Sequence, residues 1–161
     1  MDFIETGARF NKNRTHRYAL WRVWDTNAPK VMFIGLNPST ADENKEDPTL
    51  KRVIQFSKDW GFGGVFMCNL FSFITPYPEE LQIDTGISEN KRWLKYYSKK
   101  TTEIVCAWGA HKAAPNRAKM VYRFMRKATA LQLNNDGSPR HPLYVKSDVK
   151  RVSFIPQISK E

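Results

Sequence analysis

Histidine and cysteine are scarce in this sequence, three and two among 161 residues. They are scattered as well, with no His-x-x-x-His pair, so the donor set of a zinc site is missing and no metal or other cofactor is expected. Cys68 and Cys106 each sit inside an apolar, strand-like run, which reads as a reduced, buried role for both. No apolar run approaches the length of a membrane span. Met1-Asp2-Phe3-Ile4-Glu5 lacks a basic stretch followed by an apolar one, so no signal peptide is read and an intracellular, cytoplasmic protein is expected. No internal repeat, low-complexity tract or linker divides the chain. Acidic residues are few, 16 Asp and Glu against 26 Lys and Arg, leaving a net charge of +10. That excess fits a polyanionic partner, nucleic acid first. A basic protein with no such partner is the alternative that charge alone leaves open.

What is present is enough to fold. Hydrophobic residues make up 41% and aromatic residues 13%, which excludes a disordered tail. The length suits one domain over residues 1–161 with a single core. Residues 2–14 show no clean period and read as an irregular arm. His16 to Trp24 alternate, with Tyr18, Leu20 and Arg22 on one side and Arg17, Ala19, Trp21 and Val23 on the other. This predicts an edge strand in a hairpin with the next strand, turning at Asn27-Ala28-Pro29. Val31-Met32-Phe33-Ile34 reads as a strand buried on both faces, ended by Gly35 and Pro38. Asp47-Pro48 predicts a helix start, with Asp47 as N-cap, and Leu50, Val53, Ile54 and Trp60 keep helical spacing up to Gly61. Val65 to Cys68 and Ile104 to Trp108 read as further buried strands. Ser88 is expected to cap a helix carrying Trp93, Leu94 and Tyr97. A basic helix is expected over Pro115–Lys127, with Ala118, Val121, Tyr122 and Met125 inside. Leu131-Gln132-Leu133 is a candidate fourth strand, and Asn134 to Pro139 a loop, before a short segment ending in Phe154-Ile155-Pro156. Strands alternating with helices argue an α/β fold, a three-layer α/β/α sandwich on a central, mostly parallel sheet.

In such a sheet the carboxyl ends of the parallel strands share one edge, where ligands bind. Asn37, Asn69 and the Trp108-Gly109-Ala110-His111 corner all follow strands, and His141 lies in a later loop. Each has a plain structural reading, as a turn cap, a core residue or a surface histidine. Their convergence on one cleft, with Asp42 or Asp47 at its rim, is the stronger expectation.

The order of these motifs resembles the uracil-DNA glycosylase superfamily. Gly35-Leu36-Asn37-Pro38 resembles the first motif of the mismatch-type uracil/thymine glycosylases, whose Asn positions the attacking water. Asn69 matches the Asn that reads the pyrimidine edge. Ile104 to Lys112 looks like the strand-Trp-Gly-x-x-Ala-x-Lys segment. His141-Pro142-Leu143 resembles the late His-Pro-Ser loop, where the His contacts the base carbonyl and a nearby apolar residue wedges into the duplex. The resemblance spans about Val31 to Val145. The run Gly35 to Asp42, with Asp47-Pro48-Thr49 and His141-Pro142-Leu143-Tyr144, also looks like a bacterial and phage domain family of unknown function. Two departures stand out: Leu143 replaces the usual Ser, and Ser39-Thr40-Ala41-Asp42 replaces the Gly or Tyr that follows Pro. The first bears on the phosphate contact and wedge of the late loop, the second implies a different pocket wall up to Asp47, and the substrate base need not be uracil.

The chemistry can be read from the residues themselves. Breaking an N-glycosidic bond needs a group that orients water near an oxocarbenium-like sugar and donors that hold charge on the departing base. Asn37 with Asp42 or Asp47 suits the first task, and His141 with backbone amides the second. Asn69 carries a donor and an acceptor for a pyrimidine edge, flanked by Ser39 and Thr40, with Phe71 as an aromatic wall for a flipped base. Lys112, Arg117 and Arg140 are the expected phosphate contacts, and the resemblance adds Leu143 of the late loop to the DNA-binding residues. The expected partner is DNA, met through a basic face by a monomer, with no membrane involved. A non-cleaving nucleic-acid-binding module and an enzyme on free nucleotides or nucleosides are the competing readings.

Overall fold

A computed structural model of the protein describes residues 3–84, 86–121 and 128–154. The buried run at 31–34 becomes strand β3 (Lys30–Gly35), and the runs at 65 and 104 become β4 (Gly64–Asn69) and β5 (Glu103–Cys106). With β1 (Glu5–Phe10), β2 (Arg17–Val23), β6 (Ala128–Ala130) and β7 (Val152–Ser153) they form one seven-stranded sheet of order β1-β2-β4-β3-β5-β6-β7. The expected parallel sheet is present at its centre, where β4, β3, β5 and β6 run the same way. The outer pairings, β1 with β2, β2 with β4 and β6 with β7, are antiparallel, so the sheet is mixed.

Alternation in the central strands splits the core in two. Val31, Phe33, Val65 and Val105 pack with Leu50, Val53, Ile54 and Phe56 of helix α1 (Pro48–Asp59). Met32, Ile34, Cys68 and Cys106 face the other way, against Leu94 and Tyr97 of α2 (Ile87–Ser98) and Ala114, Ala118 and Val121 of α3 (Ala114–Val121). Helices therefore cover both faces, as period-2 burial on a two-sided sheet requires. Both cysteines are buried and neither forms a disulfide among the described residues, and burial raises both thiols, Cys68 to about 12. Among the described residues no helix is long and apolar enough to cross a membrane.

Four expectations are corrected. The irregular arm is strand β1, whose polar, half-exposed residues reflect its place at the sheet edge rather than a lack of order. β2 is an inner strand and forms no hairpin with β3, because β3 already has parallel partners on both sides. The connection crosses over Gly63, which accepts from Trp24 N–H (2.9 Å) and donates to Pro29 O (2.8 Å). A Cβ on Gly63 would collide with the Asp25 carbonyl. Ser88 lies inside the first turn of α2, and Gly86 holds the cap position. The fourth parallel strand is Ala128-Thr129-Ala130, three positions ahead of the expected run, and its small residues carry no apolar signature. Tyr122 and Met125 of the expected basic helix, and the Ile155-Pro156 end, lie outside the described residues.

Candidate functional site

Three parallel strands deliver their ends to one edge of the sheet: β3 into Leu36-Asn37, β4 at Asn69, and β5 into Ala107-Trp108. A cavity of about 240 Å³ opens there. Asn37, Asn69 and His141 all line it, so the expected convergence occurs, and Ser39, Asp47 and Trp108 join them.

Helix α1 positions two of these groups. Asp47 caps it, accepting from Leu50 N–H at 2.8 Å through Oδ1, with Pro48 in the first turn. That bond leaves Oδ2 for the cavity. Arg52, on the same helix, donates to the Val145 carbonyl and ties down the loop that carries His141. Val145 itself packs in the α1 core.

His141 precedes a short 3-10 turn, Pro142–Tyr144, and its Nδ1 accepts from Leu143 N–H at 3.1 Å. Burial lowers its pKa below the ordinary 6.5, against the opposing field of Asp47. The ring is thus neutral at pH 7. With Nδ1 accepting, the proton resides on Nε2, which can only donate.

Asn37 is equally constrained. Its Nδ2 donates to Thr75 O at 2.7 Å and Pro38 O at 3.1 Å. Both amide hydrogens are spent on carbonyls, so Oδ1 is the atom available to a ligand or water.

The deep end of the cavity holds a residue that the sequence reading did not nominate. Arg17 is 4% exposed and Asn69 3%. Arg17 Nη1 donates to Ala41 O at 2.8 Å, and Nη2 reaches Asn69 Oδ1 at 3.5 Å. Its Nε has no partner. Burial pulls its pKa down to about 10, with Asp47 acting in the opposite sense, so the guanidinium stays charged at neutral pH. Strict alternation puts Arg17 with Ala19, on the face away from Leu20. The register shifts between Arg9 and Phe10, where Arg9 pairs with Ala19 and Phe10 with Arg17. This bulge resets the phase, and Arg17 enters the cavity beside Leu20. The available signal was a lone cation at the head of the apolar run Tyr18-Ala19-Leu20.

The remaining nominated residues lie elsewhere. Asp42 does not line the cavity; its Oδ1 accepts from Asn44 and Lys45 N–H, both at 2.8 Å, which holds its pKa down. Thr40 is exposed and outside the cavity. Phe71 is buried on the α2/α3 side under the Arg117 guanidinium, 4.0 Å from its ring centre, so the aromatic bordering the cavity is Trp108. Arg117 is no free phosphate contact: it pairs with the fully buried Asp84 at 3.6 Å and donates to Leu70 O at 3.2 Å. Arg140 Nε donates to Asn134 Oδ1 at 3.0 Å. Lys112 lines a neighbouring groove with Phe71 and His111, which meets the cavity at Pro78. Leu143 is exposed beside Tyr144, itself 75% exposed. Among the described residues no group of three or more His, Cys, Asp or Glu side chains is placed to hold a metal ion.

The sequence profile of a family described as "Protein of unknown function (DUF1643)" matches residues 17–143. That span begins at Arg17 and takes in every cavity residue through His141. No curated protein and no solved structure matches the chain.

Proposed function

The chain belongs to the DUF1643 family of proteins of unknown function, and from its own residues we propose that it is an N-glycosidic hydrolase acting on a base flipped out of DNA, with a glycosylase-like fold. The observation that carries this reading is the polarity of the cavity. Arg17 and Asn69 are buried at its deep end, while Asn37, Asp47 and His141 are only partly buried. N-glycosidic cleavage develops negative charge on the base and positive charge on the sugar. A base held at the deep end puts the first against a cation and the second near a carboxylate.

In this reading the Asn69 amide reads the ring edge and His141 donates Nε2–H to a ring carbonyl. Asn37 Oδ1 accepts a hydrogen bond from the attacking water, with Asp47 beside it. The C1′–N bond breaks with its electron pair going to the base. The water oxygen bonds to C1′, its proton leaves through Asp47 to solvent, and the departing base takes a proton from solvent. A cavity of about 240 Å³ lies below the roughly 300–1,000 Å³ of drug-sized sites and suits a single ring. Trp108 supplies an aromatic wall. The net charge of +10 and the exposed Leu143, Tyr144 and Tyr77 favour a nucleic-acid substrate over a free nucleoside.

The test is an oligonucleotide screen. Purified protein is incubated with duplexes and single strands carrying different pyrimidines, then treated with alkali to cut abasic sites. Cleavage at one base type, with DNA affinity that falls steeply with salt, is the expected result. Salt-dependent binding without abasic sites would make it a binding module. Turnover of mononucleosides with weak DNA binding would make it a nucleoside hydrolase.

A further inference from the structure

Among the described residues two arginines are buried, Arg17 and Arg22, and their partners differ. Arg22 has a carboxylate, Glu46 Oε2, 3.5 Å from its Nε, and donates to the carbonyls of Trp21 at 2.9 Å and Asp42 at 2.7 Å. Half-buried Arg117 likewise has Asp84. Arg17 has no carboxylate within ion-pair distance among the described residues, keeps one good hydrogen bond, to Ala41 O, and leaves Nε unpartnered. Asp47 is the carboxylate on the cavity wall, but one of its oxygens is committed to the α1 N-terminus. A cation this buried with no ion pair is costly unless something neutralises it.

We propose that the deep end of this cavity binds a pyrimidine ring that carries a formal negative charge, with Arg17 as its counter-ion and Asn69 as its neighbouring reader. The inference rests on the reading of this cavity as a base site and adds the charge of the base. The Asn69 amide is oriented for the task, because a guanidinium only donates and therefore takes Oδ1, leaving Nδ2 as a donor. Arg17 and Asn69 then present donors together, and an electron-rich edge is what two donors select. The charge can come from an acidic substituent or from loss of a ring N–H proton, and the probes separate these.

The experiment measures binding of three free bases to the intact protein at pH 7 by calorimetry: uracil, which is neutral; 5-carboxyuracil, with a charged substituent; and 5-nitrouracil, whose ring ionises readily. At least one anionic base is expected to bind tenfold or more tighter than uracil, and the one that does names the source of the charge. Arg17→Met should erase that preference and Arg17→Lys should keep part of it. Equal binding of all three, or a preference that survives in Arg17→Met, overturns the proposal. Because Arg17 also holds Ala41, a second readout uses the wild-type protein. The Nε–H resonance of Arg17 in ¹⁵N-labelled protein should move with the anionic base and not with uracil, and a resonance that ignores both counts against the proposal. Free bases have no glycosidic bond, so binding here is independent of turnover. A protein that prefers the anion yet makes no abasic sites sinks the hydrolase reading alone.

Discussion

Gly35 and Asn69 face each other across the parallel pairing of β3 and β4, and a Cβ on Gly35 would lie 2.9 Å from Asn69 Nδ2. The same Cβ would meet Met67 Cε at 2.8 Å. The Met67 end can swing away, whereas Asn69 is held by its backbone carbonyl, which accepts from Asn90 Nδ2 at 2.8 Å. Glycine at 35 therefore makes room for the Asn69 amide.

Gly35→Ala is thus expected to push Asn69 off its position and weaken base binding at least tenfold, at a stability cost of about 1–3 kcal/mol for overpacking. Calorimetric binding of the free base and thermal unfolding, read together, check this. Base affinity equal to wild type in a folded Gly35→Ala protein would show that Asn69 does not need the space.

Asn37→Ala removes the proposed water acceptor. Turnover should fall by about 10²–10³, the usual effect of deleting one group aimed at the reacting centre. DNA affinity should stay near wild type, since the residue touches no phosphate in this reading. The lost bonds to Thr75 O and Pro38 O should lower stability by about 1–3 kcal/mol. Single-turnover rates beside filter binding separate the two effects, and full activity in Asn37→Ala would remove Asn37 from the chemistry.

Arg22 makes a purely structural prediction. Its guanidinium holds the carbonyl of Asp42, and that of Lys45 at 3.4 Å, bracing the segment between Ser39 and Asp47. Arg22→Met should cost about 1–3 kcal/mol for each carbonyl left without a donor. It should also lower activity indirectly by loosening Asp47. Denaturant unfolding measures the first, and a change below about 0.5 kcal/mol would mean that water replaces the arginine freely.

The parts of the molecule that were legible in the sequence are those where one residue type has one reason to be present. Asp47-Pro48 states a helix start because an acceptor is needed before the first turn and proline needs no N–H there, and both hold. The three apolar runs state buried strands, and their shared edge brings Asn37, Asn69 and His141 together. What stayed hidden depends on neighbours far along the chain. Nothing in residues 17–23 says that β2 pairs with β4 instead of β3, and the bulge that turns Arg17 inward is a property of its pairing with β1. Phe71 and Arg117 look like ligands for a base and a phosphate in the sequence, yet they stack on each other, and neither lines the cavity.

Burial holds His141 below its ordinary 6.5 in the folded protein, and Nδ1 is committed to Leu143 N–H, so the working form is the neutral ring with its proton on Nε2. An unfolded chain takes up a proton at this histidine as pH falls through 6.5, while the folded chain does not until a lower pH. The folded state thus loses stability relative to the unfolded state across that window and loses no more once the folded pKa is passed; above 6.5 His141 makes no contribution to the pH dependence. Activity should follow the folded group: the acid limb due to His141 must lie below 6.5 and vanish in His141→Gln, which keeps a donor but cannot titrate. An NMR titration of the His141 ring gives the midpoint directly. A midpoint above 7 would mean that the ring is mostly charged when it meets the base at neutral pH, and His141 would then have to act as an acid rather than as a neutral donor.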